Sequence, residues 1–258
     1  MARFKVTVEY EGTRFSGWQV QKNARTVAGE ILGAAKTVFN TDKFELMGAG
    51  RTDAGVHAIA QVAHLDVHTQ LAPHIIRQKL NDNLPADINI IDVQKADARF
   101  HARHHAVARS YVYYISTRRT AFGKRFVWWI KDKLNLEAMQ KAALSFEGMN
   151  DFRSFTRDDP NEKSTKVLLD EVRIETHGHL ILIRITGSHF LWNMVRQIVG
   201  TLVEVGRGNY TEKDIKRILK TDTDETRTLT ASPSGLYLEK IYYEGDKRDT
   251  TLTPFIHI

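Results

Sequence analysis

Met1-Ala2-Arg3-Phe4-Lys5-Val6-Thr7-Val8-Glu9-Tyr10 alternates apolar and polar residues almost from its start. That period of two puts Phe4, Val6, Val8 and Tyr10 on one side of a strand, and the stretch lacks the continuous apolar core of a signal peptide. Further along the chain, Thr26 reads as the cap of a helix whose apolar face is Val27, Ile31, Ala35 and Val38. A short strand around Phe44 and Leu46 leads into the glycine-rich Gly48-Ala49-Gly50-Arg51-Thr52-Asp53-Ala54-Gly55, and another strand is expected over 61–67. Pro73 opens a helix carrying Ile76 and Leu80 that stops before Pro85, and a strand covers 88–93. Strand, helix, two strands, helix, strand is the split βαβ order of a ferredoxin-like α+β domain.

The second half repeats this vocabulary. A strand over 110–116 precedes a helix from Asn135 with Leu136, Met139, Ala143 and Phe146 at helical spacing, ended by Gly148. Alternating segments at 171–176 and 179–186 are joined by His177-Gly178, a hairpin signal. A long apolar helix is expected over 190–205, Thr211 caps a shorter one with Ile215, Ile218 and Leu219, and a strand over 236–243 closes the chain. No Pro/Gly/Ser-rich linker separates the halves, which favours two α+β lobes packed on each other.

Composition narrows the function classes. With 42% hydrophobic and 26% charged residues in a chain of 258, there is enough apolar material for a core and no sign of disorder. The absence of cysteine excludes a disulfide framework, Cys-ligated zinc, iron–sulfur clusters and thiol catalysis, and it fits a cytoplasmic location. Apolar runs such as 126–130 fall far below the roughly 18 residues that span a bilayer, so no membrane association is expected. A net charge of +6, from 37 Lys and Arg against 31 Asp and Glu, points weakly toward polyanions.

The loop around Asp53 is the most unusual stretch. A dinucleotide fingerprint needs glycine where Asp53 stands, a phosphate loop needs a Lys-Ser/Thr pair, and a carboxylate there would repel phosphate. The loop therefore reads either as a tight turn with an Asp–Arg surface pair or as a carboxylate held beside a substrate. The helix expected at 190–205 bears on the choice. Its apolar stripe, including Met194, Ile198 and Leu202, leaves Asn193, Arg196, Gln197 and Gly200 on the other side, and Arg196 is the only charge between Phe190 and Val203. A face so poor in charge is expected to be covered, and a covered guanidinium needs a carboxylate partner, for which Asp53 is the candidate; the alternative is an Arg that reaches solvent or caps carbonyls.

Arg99-Phe100-His101-Ala102-Arg103-His104-His105 and Arg109-Ser110-Tyr111-Val112-Tyr113-Tyr114 form the densest cationic and aromatic stretch. Cations that hold phosphates beside a ring that stacks on an unpaired base are how proteins grip single-stranded or flipped-out nucleotides. Tyr113 reads as core, and the histidines lack the carboxylate spacing of a metal site. Arg14, Arg118, Arg119, Lys124 and Arg125 either extend the positive surface or are simply solvated.

These residues carry a pattern that resembles the bacterial tRNA pseudouridine synthase I family. The resemblance rests on Phe15-Ser16-Gly17-Trp18-Gln19, on Gly50 through Ala58, on Leu80-Asn81 with Leu84-Pro85, and on Arg99 through Arg103. It continues through Asp151-Phe152-Arg153-Ser154-Phe155, Phe190-Leu191 with Met194-Val195-Arg196, and Gly235-Leu236-Tyr237-Leu238. What it implies is a synthase converting uridine to pseudouridine at positions 38, 39 and 40 of the anticodon stem-loop, by base flipping and a catalytic aspartate. By resemblance, Asp53 is that aspartate, Arg51 helps to flip the nucleotide, Tyr111 stacks on the uracil, Arg196 pairs with the carboxylate and Leu236 lines the base pocket. The family also implies an α+β protein of two ferredoxin-like (RRM-like) lobes, antiparallel sheets joined around a central basic cleft, divided here as 1–105 with the Asp loop and 106–258. The partners implied are tRNA and a second copy of the chain in a homodimer. Because the reaction is an isomerisation, no cofactor and no metal is expected. Ser188-His189, Trp192-Asn193 and Ser232 depart from the family's usual residues, and Ala28 stands where glutamine is common.

Overall fold

The alternation that opens the chain folds as β1 (Ala2–Tyr10), in which Phe4, Val6, Val8 and Tyr10 are each at most 4% exposed. The structure is a computed structural model that describes residues 1–159 and 162–257. After β1 come α1 (Val27–Phe39), β2 (Phe44–Gly48), β3 (His57–Val67), α2 (Pro73–Asn83) and β4 (Ile88–Ala96). Next are β5 (Ala108–Ser116), β6 (Trp128–Trp129), α3 (Leu136–Ala143), β7 (Gly148–Asp151), β8 (Lys166–His177) and β9 (Leu180–Gly187). Last come α4 (Met194–Arg207), α5 (Glu212–Ile218) and β10 (Leu236–Tyr242). The fold is mixed α+β, and among the described residues no helix is long and apolar enough to cross a membrane.

The chain forms two compact units, one of Met1–Val107 with Tyr237–Asp246 and the other of Ala108–Leu236 with Lys247–Ile258. In the first, β1 is central, paired antiparallel with β3 on one side and β4 on the other, and β2 pairs antiparallel with the second half of β3. The first residues of β3 pair instead with the returning β10, in parallel register at Tyr237↔His57. Two helices supply the apolar cover: Ile31 and Ala35 of α1 and Ile76 and Leu80 of α2 are all buried. Thr26 caps α1 by accepting a hydrogen bond from the Gly29 N–H, and Pro73 occupies the first turn of α2, where its missing N–H costs nothing. β4 slips by one residue opposite Thr7 and Val8, and Asn81 of α2 bonds both the N–H and the carbonyl of Ile90 there.

The second unit orders its strands β5-β9-β8-β7, all antiparallel, with the short β6 parallel to the end of β5. The β8–β9 turn is Gly178-His179, with φ +61° at Gly178. The helix expected over 190–205 begins only at Met194, because Asn193 adopts a left-handed φ of 61° that no helix continues through. From there nearly every residue of α4 is buried, Gln197 and Gly200 included. Its charge-poor face is covered by the 3-10 segment Glu225–Leu229 and the residues after it: Ala231 N–H donates to the Arg196 carbonyl at 3.0 Å, and Thr226 Oγ1 lies 2.8 Å from Gln197 Oε1. The capping box of Thr211 with Asp214 starts α5.

Candidate active site

Residues 49–56 lie between β2 and β3 of the first unit and carry Arg51 and Asp53. Thr52 is buried between them, and its hydroxyl shares a 2.7 Å hydrogen bond with that of Tyr10 at the end of β1. The Thr52 carbonyl accepts from the Trp18 N–H at 3.1 Å, and the Phe15 carbonyl accepts from Gly55 N–H at 3.3 Å. Asp53 itself is half-buried, and its carbonyl receives the Val56 N–H at 3.1 Å, closing a turn with Gly55 at φ +78°. The carboxylate thus sits on backbone pinned at three points, while Arg51 is exposed beside it.

The strand-following segment 12–18 is built to come this close. A Cβ on Gly12 would stand 1.9 Å from the Val56 carbonyl oxygen, and one on Gly17, already at φ +90°, 2.5 Å from that of Thr52. Only glycine permits either approach. Gly12 N–H donates to His57 Nδ1 at 2.9 Å, which puts the proton of a neutral imidazole on Nε2. The buried His57 ring also stacks on Tyr237 of β10 at 4.7 Å.

The other three expected site residues lie in the second unit. Tyr111 on β5 is 8% exposed and meets Phe190 edge to face at 4.9 Å. Three residues on, Asn193 accepts from Arg196 Nη1 at 3.0 Å, and Arg196 Nε donates to the Ala231 carbonyl at 2.7 Å. Tyr113 is fully buried, as read from the sequence; its hydroxyl donates to the Ser232 carbonyl at 2.6 Å, and burial pushes its pKa well up against the opposing pull of Arg196. Leu236 is buried and directly follows Gly235, which lies against the Tyr113 ring. Residues 231–235 therefore hold Arg196 and Tyr113 near one another, Leu236 follows them directly in the chain, and Tyr111 packs separately on Phe190.

The cationic stretch 99–105 closes the face of β3 opposite the helices. Arg3 forms a bidentate pair with Asp66 and donates to the Phe100 carbonyl at 2.7 Å. His64 Nδ1 accepts from Ala102 N–H at 3.1 Å, and its ring meets His101 at 4.8 Å. Burial, then the neighbouring Arg3 and His101, lowers the His64 pKa to about 4. His101 Nδ1 is taken up by the backbone N–H groups of Arg103 and His104, so this ring shapes the loop.

Sequence reading missed the supports of the Asp53 loop. Thr52 and His57, which stand in the Gly50–Ala58 stretch, hold it through Tyr10 and Gly12, which lie outside that stretch and 42 and 45 positions from their partners. The one available signal was the pair of glycines among aromatics at 12–18 beside the three glycines of 48–55.

A family profile described as tRNA pseudouridine synthase matches residues 6–105 and 142–244. The chain is 40% identical over 245 residues to tRNA pseudouridine synthase A of Thermosipho melanesiensis, across 94% of this chain and 100% of that one. It is 39% identical over 241 residues to the protein of the same name from Pseudothermotoga lettingae, covering 92% and 98%. A third such protein, from Ehrlichia chaffeensis, is 40% identical over 244 residues, covering 93% and 100%.

Proposed function

The chain belongs to the tRNA pseudouridine synthase family and is an isomerase, and on that premise we propose that it converts uridines 38, 39 and 40 of the tRNA anticodon stem-loop to pseudouridine, with Asp53 as the catalytic residue. The observation that carries this reading is the Asp53 loop itself: a half-buried Asp53 on backbone held by Phe15, Trp18 and Val56, with the neighbouring Thr52 hydroxyl bonded to Tyr10, supports a carboxylate whose place is set before any substrate arrives.

The reaction detaches uracil at N1, turns it within the pocket and rejoins it to C1′ through C5, with nothing added or lost overall. The uridine must first leave its stack, at a cost of a few kcal/mol that phosphate contacts and stacking offset. In this reading Arg51, exposed beside Asp53, takes the phosphate or the vacated space, and Tyr111 stacks on the uracil. Asp53 then acts on the ribose by one of two routes: attack on C1′, or removal of the C2′ proton. Arg196 is the proposed partner of the carboxylate and Leu236 a wall of the base pocket. The lobes are proposed to be ferredoxin-like around a basic cleft, supported in the first unit by the antiparallel order β4-β1-β3-β2. The protein acts in the cytoplasm as a homodimer and needs neither metal nor cofactor.

Release of tritium from tRNA labelled at uracil C5 tests the reading, since that proton leaves whenever C5 joins C1′. The wild type releases it, and Asp53→Ala stops release while keeping tRNA binding within a few-fold. Full activity in the Ala variant would remove Asp53 from the chemistry.

A further inference from the structure

Residues 117–133 of the second unit read Thr-Arg-Arg-Thr-Ala-Phe-Gly-Lys-Arg-Phe-Val-Trp-Trp-Ile-Lys-Asp-Lys. Six cations, Arg118, Arg119, Lys124, Arg125, Lys131 and Lys133, stand against one acid, Asp132, so these 17 positions hold +5 of a chain total of +6. The acid is engaged elsewhere, accepting from Arg207 Nε at 2.8 Å. Among the described residues none of Arg118, Arg119, Lys124, Lys131 and Lys133 pairs with a carboxylate, and all five are exposed. Six surface arginines elsewhere, Arg25, Arg153, Arg173, Arg217, Arg227 and Arg248, each hold one, whereas those without one among the described residues, such as Arg14, Arg51 and Arg157, are scattered singly along the chain.

Two of the segment's four aromatic residues, Phe122 and Trp129, are also turned outward, while Trp128 packs on Tyr113. Phe122 is 97% exposed, and Trp129 is exposed with the Arg119 guanidinium 5.7 Å over its ring. Ile130 N–H donates to the Ser116 carbonyl, and Trp128 and Trp129 pair in parallel with Ile115 and Ser116, so the loop is tied to the end of β5. Unpaired cations interleaved with exposed rings, on a fixed base, fit a polyanion that also offers unstacked bases. Tyr111 lies five residues back along the same strand, about 17 Å at the usual rise. A ligand in contact with both points must therefore extend over several nucleotides. Residues 106–141 also fall between the two stretches that the family profile matches.

We propose that segment 117–133 is a binding arm for the tRNA phosphate backbone, gripping the molecule at a point other than the isomerised uridine. The proposal rests on the tRNA substrate proposed above. The arm contributes to affinity and not to the chemical step, and its contribution weakens with salt as bound counterions are released. The triple variant R118Q/R119Q/K124Q tests it, beside K213Q/K216Q/K220Q, which removes the same charge on and next to α5. Labelled tRNA in filter binding gives Kd from low to moderate salt, and tritium release gives KM and kcat. The arm variant raises Kd and KM roughly tenfold, leaves kcat within two-fold and lowers the slope of log Kd on log salt by about 2 to 3, while the α5 variant changes none of these. Unchanged affinity and slope in the arm variant, an equal loss in both variants, or a wild type that does not bind tRNA overturns the proposal. A wild type that binds tRNA without releasing tritium would instead refute the proposed reaction and leave the arm standing, since filter binding does not depend on turnover.

Discussion

Gly17 is where a single residue decides the geometry of the Asp53 loop: at φ +90°, with the Thr52 carbonyl 2.5 Å from the place of a Cβ, no other residue lets the Trp18 N–H reach that carbonyl. His64 poses the opposite problem, a titratable ring in a place that disfavours its charge. Its folded pKa of about 4 lies below the unfolded 6.5, so between those values the unfolded chain binds the extra proton. Stability is therefore complete above pH 6.5, falls as the pH drops toward 4, and loses up to roughly 3 kcal/mol over that window. Denaturant melts at pH 7, 5.5 and 4.5 check this: the midpoint falls more steeply in the wild type than in His64→Gln, whose amide oxygen still accepts from Ala102. Parallel slopes would mean that His64 contributes nothing to the acid response.

Helix α4 shows how closely covered a helix can be. A Cβ on Gly200 would stand 1.5 Å from the Leu229 carbonyl oxygen, so Gly200→Ala must lift the 225–231 cover and cost about 2 kcal/mol. Gly33 in α1 has nothing within 4 Å, and Gly33→Ala is expected to stabilise by up to about 1 kcal/mol. Urea midpoints moving in opposite directions support both assignments; a shared direction contradicts one of them. Helix starts were legible in the sequence where the cap is local, as at Thr26 and Thr211, because donor and acceptor lie within one turn. The start of α4 was not legible, since Phe190 and Leu191 continue the apolar period while the backbone at Asn193 does not. The charge-poor face of α4 correctly announced a cover, but which segment provides it depends on contacts some 30 positions away. The Asp53 loop was conspicuous for the same reason that its supports were not: its composition is local, and its hydrogen bonds are not.

For the molecule as a whole, a total of +6 is modest for a protein that holds tRNA, and its placement matters more than its size. The net charge of 117–133 alone is +5, while several arginines elsewhere, Arg25 and Arg217 among them, are paired with carboxylates. The proposed homodimer doubles the charge that the RNA meets and has a direct check. Light scattering in moderate salt is expected to give twice the 29.5 kDa of the chain, and a mass of one chain at micromolar concentration would dismiss the dimer.

The return of β10 to the first unit has a consequence for how the chain is made. The strand that carries His57 and leads out of the Asp53 loop has its parallel neighbour at Tyr237 and Leu238, and the His57 ring rests on Tyr237. When the ribosome has finished residue 107, that neighbour is still ~130 residues from being synthesised, roughly 6 to 26 seconds at ordinary elongation rates. Through that interval β2 already covers 63–67 of β3, but the stretch at His57 and Ala58, next to the Asp53 loop, has no strand on that side, and the nascent first unit waits for β10 to complete it.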